Sequence, residues 1–395
     1  MERALALARC AAGRTSPNPA VGAVIVKDGR IAGEGYTQPP GGPHAEVVAL
    51  AQAGAVAAGA TMYVTLEPCC HFGRTPPCTQ AIIAAGIGVV EVATFDPNPR
   101  VDGRGCAELE AAGVHVRVGQ GAAEARHLNE AFAKFIATGL PFVTVKWAMT
   151  LDGKIASRSG HSRWVTGETA RHRVHQLRDV SDAIVVGANT VIADDPELTV
   201  RLPEEANSRC RPARQPLRVV VASRGRLPLT ARLFSPELAP GTIVATTAAA
   251  DPEWQRRLRD RGTEVLVLPD CAGRVDLRAL LVELGRRERM AVLVEGGGVL
   301  AAALLQAGLA DKVCAFIAPK IIGGTAAPSP VAGEGLDRMD QALRLERLQM
   351  ERLDDDVLLI GYPAPQHSFF FSERSEESLS SGGETTRFAP GGGAQ

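Results

Sequence analysis

The sequence "ATMYVTLEPCCHFGRTPPCTQAIIAAGI", residues 60–87, combines a strand, a constrained loop and a helix in one unit. Its first part is rich in β-branched and aromatic residues and stops at Pro68, which is typical of a strand. Its last part is apolar and ends at Gly86, which is typical of a helix. Between them lie Cys69, Cys78 and two consecutive prolines. The unit therefore predicts a layered α/β domain in which a loop after a strand carries two thiols.

Similar patterns surround this unit. Residues 20–36 predict a hairpin with an Asp-Gly turn, and a helix is predicted from Ala45 to about Ala58. The alternation restarts with the strand "FVTVKWAM" and includes "SDAIVVGANT" as another strand before it ends with "DVLLIGY". We therefore predict two α/β domains, residues 1–140 and 141–362. A segment rich in Ser, Gly, Glu and Pro follows, and residues 363–395 are predicted to be a disordered tail.

The composition narrows the class of protein. The 395 residues contain 43 Lys and Arg against 44 Asp and Glu, so the net charge is −1. This balance argues against a dedicated nucleic-acid binder, which would carry a basic excess. No apolar stretch has the length of a membrane span, and the start is too charged for a secretory signal. The eight cysteines are therefore predicted to be reduced thiols of a cytoplasmic protein.

Three residues predict a zinc site. His44, Cys69 and Cys78 offer an imidazole and two thiolates, and a catalytic zinc site uses three such ligands and an open position for water. Glu46 follows His44 by two residues, so its carboxylate is placed to take a proton from that water and pass it to a leaving amine. An H-x-E element followed by a P-C element and a second Cys is the pattern of zinc deaminases, although the spacing here is C-x8-C rather than C-x-x-C.

Plainer interpretations compete with this one. A lone H-x-E is usually a solvated helix start, and a cysteine pair is often plain packing. Cys70 and His71 are alternative ligands, and Cys69 is favoured over Cys70 because it follows Pro68 directly. The conjunction of all these elements favours metal-dependent hydrolysis over a structural zinc. The remaining cysteines have no partner at metal spacing and are predicted to be packing or surface thiols: Cys10, Cys106, Cys210, Cys271 and Cys314.

The second half carries a candidate phosphate site. The sequence "AVLVEGGGVLAAALL", residues 291–305, predicts a strand, three glycines and a helix. Glycines there allow the backbone to approach a ligand, and a helix N-terminus offers free N–H groups to phosphate. The pattern is not G-x-G-x-x-G, so a Rossmann fold is not favoured. A close-packed turn is an equal alternative on these residues alone.

Several motifs together resemble a known family. "PHAEVVAL", "VTLEPC", "HFGRTPPC" and "DPNPRVDGRG", followed by "VKWAMTLDGKIAS", "VGANTVIADDPELTVR" and "VEGGGVLAAALLQAGLADKV", are similar to the bifunctional riboflavin-biosynthesis deaminase/reductases over residues 1 to about 362. The resemblance implies a cytidine-deaminase-like α/β/α layered domain and then a dihydrofolate-reductase-like α/β domain. It also implies zinc-dependent deamination of 2,5-diamino-6-(5-phosphoribosylamino)pyrimidin-4(3H)-one. NADPH would then reduce the ribosyl side chain of the product, 5-amino-6-(5-phosphoribosylamino)uracil, to ribityl.

The resemblance also implies roles for individual residues. His44, Cys69 and Cys78 would bind zinc, Glu46 would move protons, and Asn18 would help the "HFGRT" loop to seat the pyrimidine. NADPH contacts are implied for Ala148, Trp164, Thr190, Asp194, Ser223, Gly297, Gly298, Val299, Leu300, Ala301, Ala302 and Ala303. Substrate contacts are implied for Ser162, Arg178, Leu198, Arg201 and Glu295.

Two features of the reductase half stay open on the sequence. Arg224 follows a strand and is a hypothesis for the residue that binds the 2′-phosphate of NADPH. The proton donor of the reduction is not fixed, with Asp152, Lys154, Glu295 and a water molecule as candidates.

Two rival functions are a deaminase of nucleic-acid bases and an active deaminase with a non-catalytic C-terminal domain. The balanced charge argues against the first, and the retained "TLDGKIAS", "ADDP" and "EGGG" motifs argue against the second. The expected partner is a phosphorylated pyrimidine, with no nucleic acid and no membrane. A cytoplasmic homo-oligomer, dimer or tetramer, is expected.

Overall fold

The computed structural model describes residues 1–203 and 214–364. These residues form a five-stranded sheet and a nine-stranded sheet, with helices packed on them, and a small two-stranded sheet. No helix among them combines the length and apolar character needed to cross a membrane. The last strand extends to Pro363, the first residue of the predicted tail. From residue 365 onward the predicted tail lies outside the described residues.

The first sheet has the order β2-β1-β3-β4-β5, with β1 antiparallel to both of its neighbours and the other pairs parallel. Apolar side chains of the sheet and of several of its helices form one buried core. The strands are β1 (Gly22–Lys27), β2 (Arg30–Tyr36), β3 (Thr61–Val64), β4 (Val89–Val92) and β5 (His115–Val118). The helices are α1 (Glu2–Ala11), α2 (Ala45–Ala53), α3 (Cys78–Ala84), α4 (Arg104–Ala111), α5 (Ala122–Leu128) and α6 (Glu130–Thr138).

Helix α2 lies directly on the backbone of β2, because two strand residues lack a side chain. A Cβ atom at Gly33 would lie 2.1 Å from the carbonyl oxygen of Ala49, and one at Gly35 would lie 2.3 Å from that of Ala45. No other residue type fits such an approach without moving the helix. The close packing fixes the start of α2, where His44 is the N-cap residue.

The second sheet has the order β10-β9-β8-β7-β13-β6-β14-β16-β15. It is parallel from β10 to β14, and its last two pairs are antiparallel. Its strands are β6 (Phe142–Thr150), β7 (Ala183–Gly187), β8 (Leu217–Val221), β9 (Thr242–Thr246), β10 (Glu264–Val267), β13 (Ala291–Glu295), β14 (Lys312–Ala318), β15 (Leu345–Leu353) and β16 (Asp356–Pro363). The hairpin of β11 (Asp270–Cys271) and β12 (Arg274–Val275) is separate. The helices are α7 (Glu168–Asp179), α8 (Ala188–Asp194), α9 (Pro252–Arg259), α10 (Leu277–Arg286) and α11 (Gly298–Gln306).

Strand β13 is inserted between β6 and β7, which precede it in the sequence. All three strands are parallel, so their carboxyl ends meet at one edge of the sheet. In open α/β sheets, ligands bind in the crevice outside these ends, where the strand order reverses. The glycine run follows β13 directly and therefore lies at this edge.

The predicted fold class is confirmed, but several element predictions differ from the structure. The predicted helix after His44 ends at Ala53 and continues as a 3-10 turn over Gly54–Ala57. "SDAIVVGANT" is not one strand, because the backbone turns into α8 immediately after Gly187. Helices α5, α6 and α9 and strand β15 were not predicted. Of the seven cysteines in the described residues, six are free thiols and Cys10 is disulfide-bonded, so the prediction of reduced thiols is wrong for Cys10.

A buried carboxylate joins the first sheet's half of the protein to the second. The side chain of Asp182 is fully buried. Its Oδ2 accepts hydrogen bonds from the Ser16 hydroxyl at 2.8 Å and from the backbone N–H groups of Met290 and Ala291 at 2.8 and 3.0 Å. Its Oδ1 accepts from Nη1 of Arg214 at 2.9 Å. Ser16 belongs to the loop after α1, whereas the other donors belong to the second half.

A second ion pair, between Arg14 and Asp179, links the two halves next to the Asp182 contact. Arg14 donates from Nη2 to Oδ1 of Asp179 at 2.5 Å and from Nη1 to the Asp179 carbonyl oxygen at 2.7 Å. Both side chains are largely buried. Ion pairs shielded from water in this way are screened less by salt than surface pairs.

Replacing Asp182 with Ala tests the importance of this contact. The change leaves two buried N–H groups without acceptors, so we expect the free energy of unfolding to fall by about 2–4 kcal/mol. Urea titration followed by fluorescence measures it. Glu253→Ala, which removes a solvent-exposed pair with Arg256, is the matched control and should leave the unfolding midpoint unchanged. An unchanged midpoint in Asp182→Ala would show that the contact contributes little.

Candidate functional site

Three predicted ligands meet at one point in the first half. The ligand atoms of His44, Cys69 and Cys78 all lie within 4.8 Å of one another. Nδ1 of His44 is 3.6 Å from the Cys69 sulfur and 3.3 Å from the Cys78 sulfur. Within residues 1–203 and 214–364, no other group of three His, Cys, Asp or Glu side chains has this arrangement. An imidazole and two thiols are donors that zinc prefers, and three of them leave one position open.

Different elements deliver the three ligands. His44 precedes α2, Cys78 is the first residue of α3, and Cys69 lies in the loop after β3. The backbone N–H of Cys78 points at the sulfur of Cys69 at 3.4 Å. Hydrogen bonding from Cys78, together with His44, lowers the pKa of Cys69 to about 4. A thiol with so low a pKa is present as the thiolate, which is the form that binds metal.

Thr75 determines which nitrogen of His44 faces the thiols. Its hydroxyl oxygen is 3.2 Å from Nε2 of His44. When Nε2–H donates to this oxygen, Nδ1 carries the lone pair that faces the two sulfurs. Hydrogen-bond partners behind a metal ligand fix its tautomer and orientation in this way.

The two alternative ligands lie outside the group. The sulfur of Cys70 contacts the carbonyl oxygen of Arg100 at 3.7 Å. Nδ1 of His71 is buried and has no hydrogen-bond partner among the described residues. Buried polar atoms without partners are rare and costly, so this nitrogen is available to a bound polar group. The geometry thus places Cys69, rather than Cys70, with His44.

Glu46 has the character of a proton carrier. Its side chain is buried in the first turn of α2. Burial raises the pKa of Glu46 to about 7, and the negative charge of Cys69 adds to this shift while His44 opposes it. A carboxyl group with a pKa near neutrality can accept and release a proton at physiological pH.

Two acidic residues near the metal group were not predicted as functional. Buried Glu67 accepts three backbone hydrogen bonds, at 3.2 Å from Asp96, 2.9 Å from Gly103 and 3.0 Å from Cys106. It thereby holds the "DPNPRVDGRG" loop. Burial raises the pKa of Asp96 to about 7, helped by the charges of Glu67, Cys69 and Glu46. In the sequence, Glu67 and Asp96 could have been found from the motifs "LEPC" and "DPNP" that contain them. The family resemblance includes both motifs but assigned no role to either residue.

The second half contains a cavity of about 1890 Å³ at the carboxyl ends of β6, β7, β8 and β13. A site for one small ligand measures roughly 300–1,000 Å³, so this volume admits two ligands together. The NADPH and substrate contacts that the resemblance implied all line this cavity except Ala302, which is buried beside it in α11. The structure therefore brings sixteen of those seventeen residues to one site.

The glycine run forms the cavity's phosphate-binding candidate. Gly296 and Gly297 have positive φ angles of 71° and 83°. Helix α11 starts at Gly298, whose missing Cβ would lie 2.7 Å from the carbonyl oxygen of Ser329. Gly298 is thus closely packed on one side, and it lines the cavity together with the two preceding glycines and Val299. The first N–H groups of a helix at such a place bind phosphate well. The residues therefore fit the diphosphate of a dinucleotide.

Arg178 and Glu295 form a bidentate ion pair inside the cavity. Nε and Nη2 of Arg178 donate to the two carboxylate oxygens at 2.6 and 2.8 Å, and Nη1 donates to the Thr199 carbonyl oxygen at 2.9 Å. Burial opposes the ionisation of Glu295. The charge and hydrogen bonds of Arg178 outweigh this effect and lower the pKa of Glu295 to about 2. Glu295 therefore stays ionised. Arg201 pairs with Glu197 at 2.8 Å, but its side chain is 63% exposed, so it is the more accessible of the two arginines for a phosphate group.

Lys146 was not predicted and is the lysine that lines the cavity. Its Nζ lies 5.5 Å from the centre of the Phe316 ring, and burial lowers its pKa while Glu295 opposes the shift. Asp152 and Lys154, named as proton donors from the sequence, are not among the lining residues. The only sequence signal was one lysine within the apolar strand "FVTVKWAM".

Known proteins share both halves. Residues 1–94 match the family model of the cytidine and deoxycytidylate deaminase zinc-binding region, and residues 141–359 match that of the RibD C-terminal domain. The riboflavin biosynthesis proteins RibD of Aquifex aeolicus and Escherichia coli are each 44% identical over 91% of this chain, covering 96% and 97% of those proteins. The structure of Acinetobacter baumannii RibD matches with a TM-score of 0.80 and 40% identity, covering 92% of this chain and 97% of that one.

These matches and the two sites define a bifunctional deaminase and reductase. A zinc-binding deaminase region and a reductase domain occur here in one polypeptide. The chain belongs to the RibD family of riboflavin biosynthesis proteins.

Replacing Thr75 with Val tests its contact with His44. The variant cannot accept a hydrogen bond from Nε2, so we expect zinc affinity to fall by about 10–100-fold. Competition with a chromogenic chelator measures the affinity. Thr138→Val, which removes a hydroxyl that bonds only at the end of α6, is the matched control. Equal zinc affinities in both variants would contradict the assigned role of Thr75.

Proposed function

We propose that this protein catalyses two successive steps of riboflavin biosynthesis. The first is hydrolysis of the 2-amino group of 2,5-diamino-6-(5-phosphoribosylamino)pyrimidin-4(3H)-one to a carbonyl group, with release of ammonia. The second is NADPH-dependent reduction of the ribosyl side chain of 5-amino-6-(5-phosphoribosylamino)uracil to ribityl. The observation that carries the proposal is the presence of a His-Cys-Cys group beside buried Glu46 and a two-ligand cavity in one polypeptide.

A homologue supports the choice of substrates. The Thermotoga maritima protein is described as a diaminohydroxyphosphoribosylaminopyrimidine deaminase and 5-amino-6-(5-phosphoribosylamino)uracil reductase. Its structure matches with a TM-score of 0.79 and 37% identity, covering 92% of this chain and 97% of that one.

The deamination uses groups at the metal site of the first half. Zinc held by His44, Cys69 and Cys78 would supply a water molecule acidified to a pKa of about 7. Glu46 carries two protons in turn: it takes one from the attacking water and gives it to the adjacent ring nitrogen, and it then takes the second from the new hydroxyl group and delivers it to the departing amine. The C–N bond breaks, ammonia leaves as a neutral molecule, and the hydroxyl oxygen becomes the carbonyl oxygen. We assign His71, whose Nδ1 has no partner within the described residues, and Asp96 to the polar edge of the pyrimidine.

The reduction uses groups in the cavity. NADPH, when bound in the cavity, would supply a hydride to the carbon of the C=N bond in the ring-opened sugar. The nitrogen of that bond then needs a proton from the protein. We assign the proton to Lys146, because it lines the cavity and Glu295 stays ionised beside it. Burial lowers the pKa of Lys146, which makes its ammonium group a stronger acid.

We also propose a domain boundary, a cellular location and an oligomeric state for this protein. The halves divide at residues 140 and 141, between α6 and β6. The six free thiols support a cytoplasmic location. The edge strand β15 exposes Leu348 and Met350 by 60% and 76%, and this apolar surface supports a homo-oligomer, dimer or tetramer.

Glu46→Gln separates the two activities. The amide cannot accept the proton, so ammonia release should fall by at least about 100-fold, whereas NADPH oxidation with the deaminated substrate should be unchanged. Ammonia assay and absorbance at 340 nm measure the two reactions, and zinc content is determined for each protein. Glu91→Gln, which changes a largely buried acidic residue that pairs with Arg117 in the same half, is the control. Full ammonia release by Glu46→Gln would contradict the proposed deamination mechanism.

Lys146→Met tests the reductase donor. The protonated amine is the donor and exists below its pKa, so the wild-type reduction rate should fall as the pH rises through that value. Because burial lowers the pKa of Lys146, the fall should begin below the usual lysine value of about 10.4. Lys146→Met should reduce kcat by roughly 100-fold and lack the alkaline fall. A pH profile identical to that of the wild type would assign the proton to another group.

A further inference from the structure

The arrangement of the strands orients NADPH in the cavity, given the proposed reductase function. Lys146 lies on β6, and Ser223 follows β8. Strands β13 and β7 lie between them, and neighbouring strands are about 4.8 Å apart, so the two ends of the cavity are separated by roughly 14 Å. The hydride-donating end must lie near Lys146 and the ion pair of Glu295. The diphosphate then lies at the glycine run, and the adenosine end lies at Ser223.

The far end of the cavity is built around Ser223. Its hydroxyl oxygen accepts a hydrogen bond from the backbone N–H of Val275 at 3.0 Å, which fastens the β11–β12 hairpin to the end of β8. Its carbonyl oxygen accepts from the Thr247 hydroxyl at 2.8 Å. The Ser223 hydroxyl hydrogen has no acceptor among the described residues, so it can donate to a ligand in the cavity.

Two arginines without ionic partners line this end. Arg274, in the hairpin, and Arg278, in the first turn of α10, both face the cavity. Within residues 1–203 and 214–364, neither guanidinium forms a salt bridge or a hydrogen bond. Other arginines that line the cavity, such as Arg178 and Arg232, pair with carboxylates. Two unpaired cations at one end of a ligand cavity attract a dianionic group.

The nearby carboxylates are partly engaged by backbone N–H groups. Oδ1 of Asp276 accepts from the N–H groups of Arg278 at 2.8 Å and Ala279 at 3.1 Å, and so caps α10. Oδ1 of Asp270 accepts from the N–H of Gly273 at 3.0 Å. Neither forms an ion pair with Arg274 or Arg278.

We propose that Arg274 and Arg278 bind the 2′-phosphate of NADPH and so select it over NADH. The planar guanidinium group offers paired donors that match phosphate oxygens. Arg224, the candidate from the sequence, is not among the residues that line the cavity. Its Nη2 instead lies beside the turn of the hairpin, 3.8 Å from where a Cβ of Gly273 would be.

Coenzyme preference of the full-length protein tests the proposal. KM for NADPH and for NADH is measured with 5-amino-6-(5-phosphoribosylamino)uracil for the wild type, Arg274→Ala, Arg278→Ala and the double variant. Each single change removes a charged hydrogen-bond donor, so KM for NADPH should rise about 10-fold. KM for NADH should change less than about 2-fold, since NADH carries no 2′-phosphate. Ammonia release should be unchanged.

Matched variants and a binding assay complete the experiment. Arg224→Ala and Arg226→Ala, neighbouring arginines that do not line the cavity, should keep the wild-type ratio of the two KM values. Calorimetry with 2′,5′-ADP and 5′-AMP gives a readout without catalysis, and only 2′,5′-ADP should bind more weakly to Arg274→Ala and Arg278→Ala. Equal losses for NADPH and NADH, or a change of ratio in Arg224→Ala alone, would overturn the inference but not the reductase function. A wild-type protein that oxidises neither coenzyme would instead overturn the reductase function itself.

Discussion

A carboxylate can be buried only where enough donors surround it, and Asp182 meets this condition with donors from three separate segments. Two of these hydrogen-bond donors are the N–H groups of Met290 and Ala291, at the start of β13. The contact therefore sets the position of β13 beside β7. Glu295 and the glycine run lie at the other end of that strand, so the geometry of the cavity depends on a charge at the opposite edge of the sheet. Another of the segments is the Ser16 loop, which links this arrangement to the first half.

Glu67 repeats this physical solution beside the metal group. It takes no part in the proposed chemistry, yet its three backbone hydrogen bonds hold the loop that carries Asp96. Thr75 acts in a similar way on His44. In the metal site and in the cavity, the groups proposed to react or bind are thus oriented by hydrogen-bond acceptors that lie behind them. Such groups hold a site in its working geometry before a ligand arrives, which limits the reorganisation that binding requires.

The sequence predicted those parts of the molecule that depend on local chemistry. Metal ligands are recognised by residue type and order, and the strand, glycine run and helix around Gly297 follow from periodicity. Lys146 was missed because a lysine in a strand is indistinguishable from a solvated one until its neighbours are known. The partner of Arg178 is 117 residues away, so no local pattern shows that its charge is already balanced. Strand β15 was missed because most of its residues are exposed, which removes the alternation that identifies strands.

The glycines of β2 have a consequence for how the gene can vary. Gly33 and Gly35 belong to none of the ligand motifs and take no part in the proposed chemistry, but they allow α2 to lie where His44 and Glu46 are needed. The codons that determine the geometry of the metal centre therefore include codons of a strand that supplies no ligand and no reacting group. Nucleotide changes that replace either glycine would displace α2 and with it His44, whereas the residues at the start of the same strand are exposed to solvent.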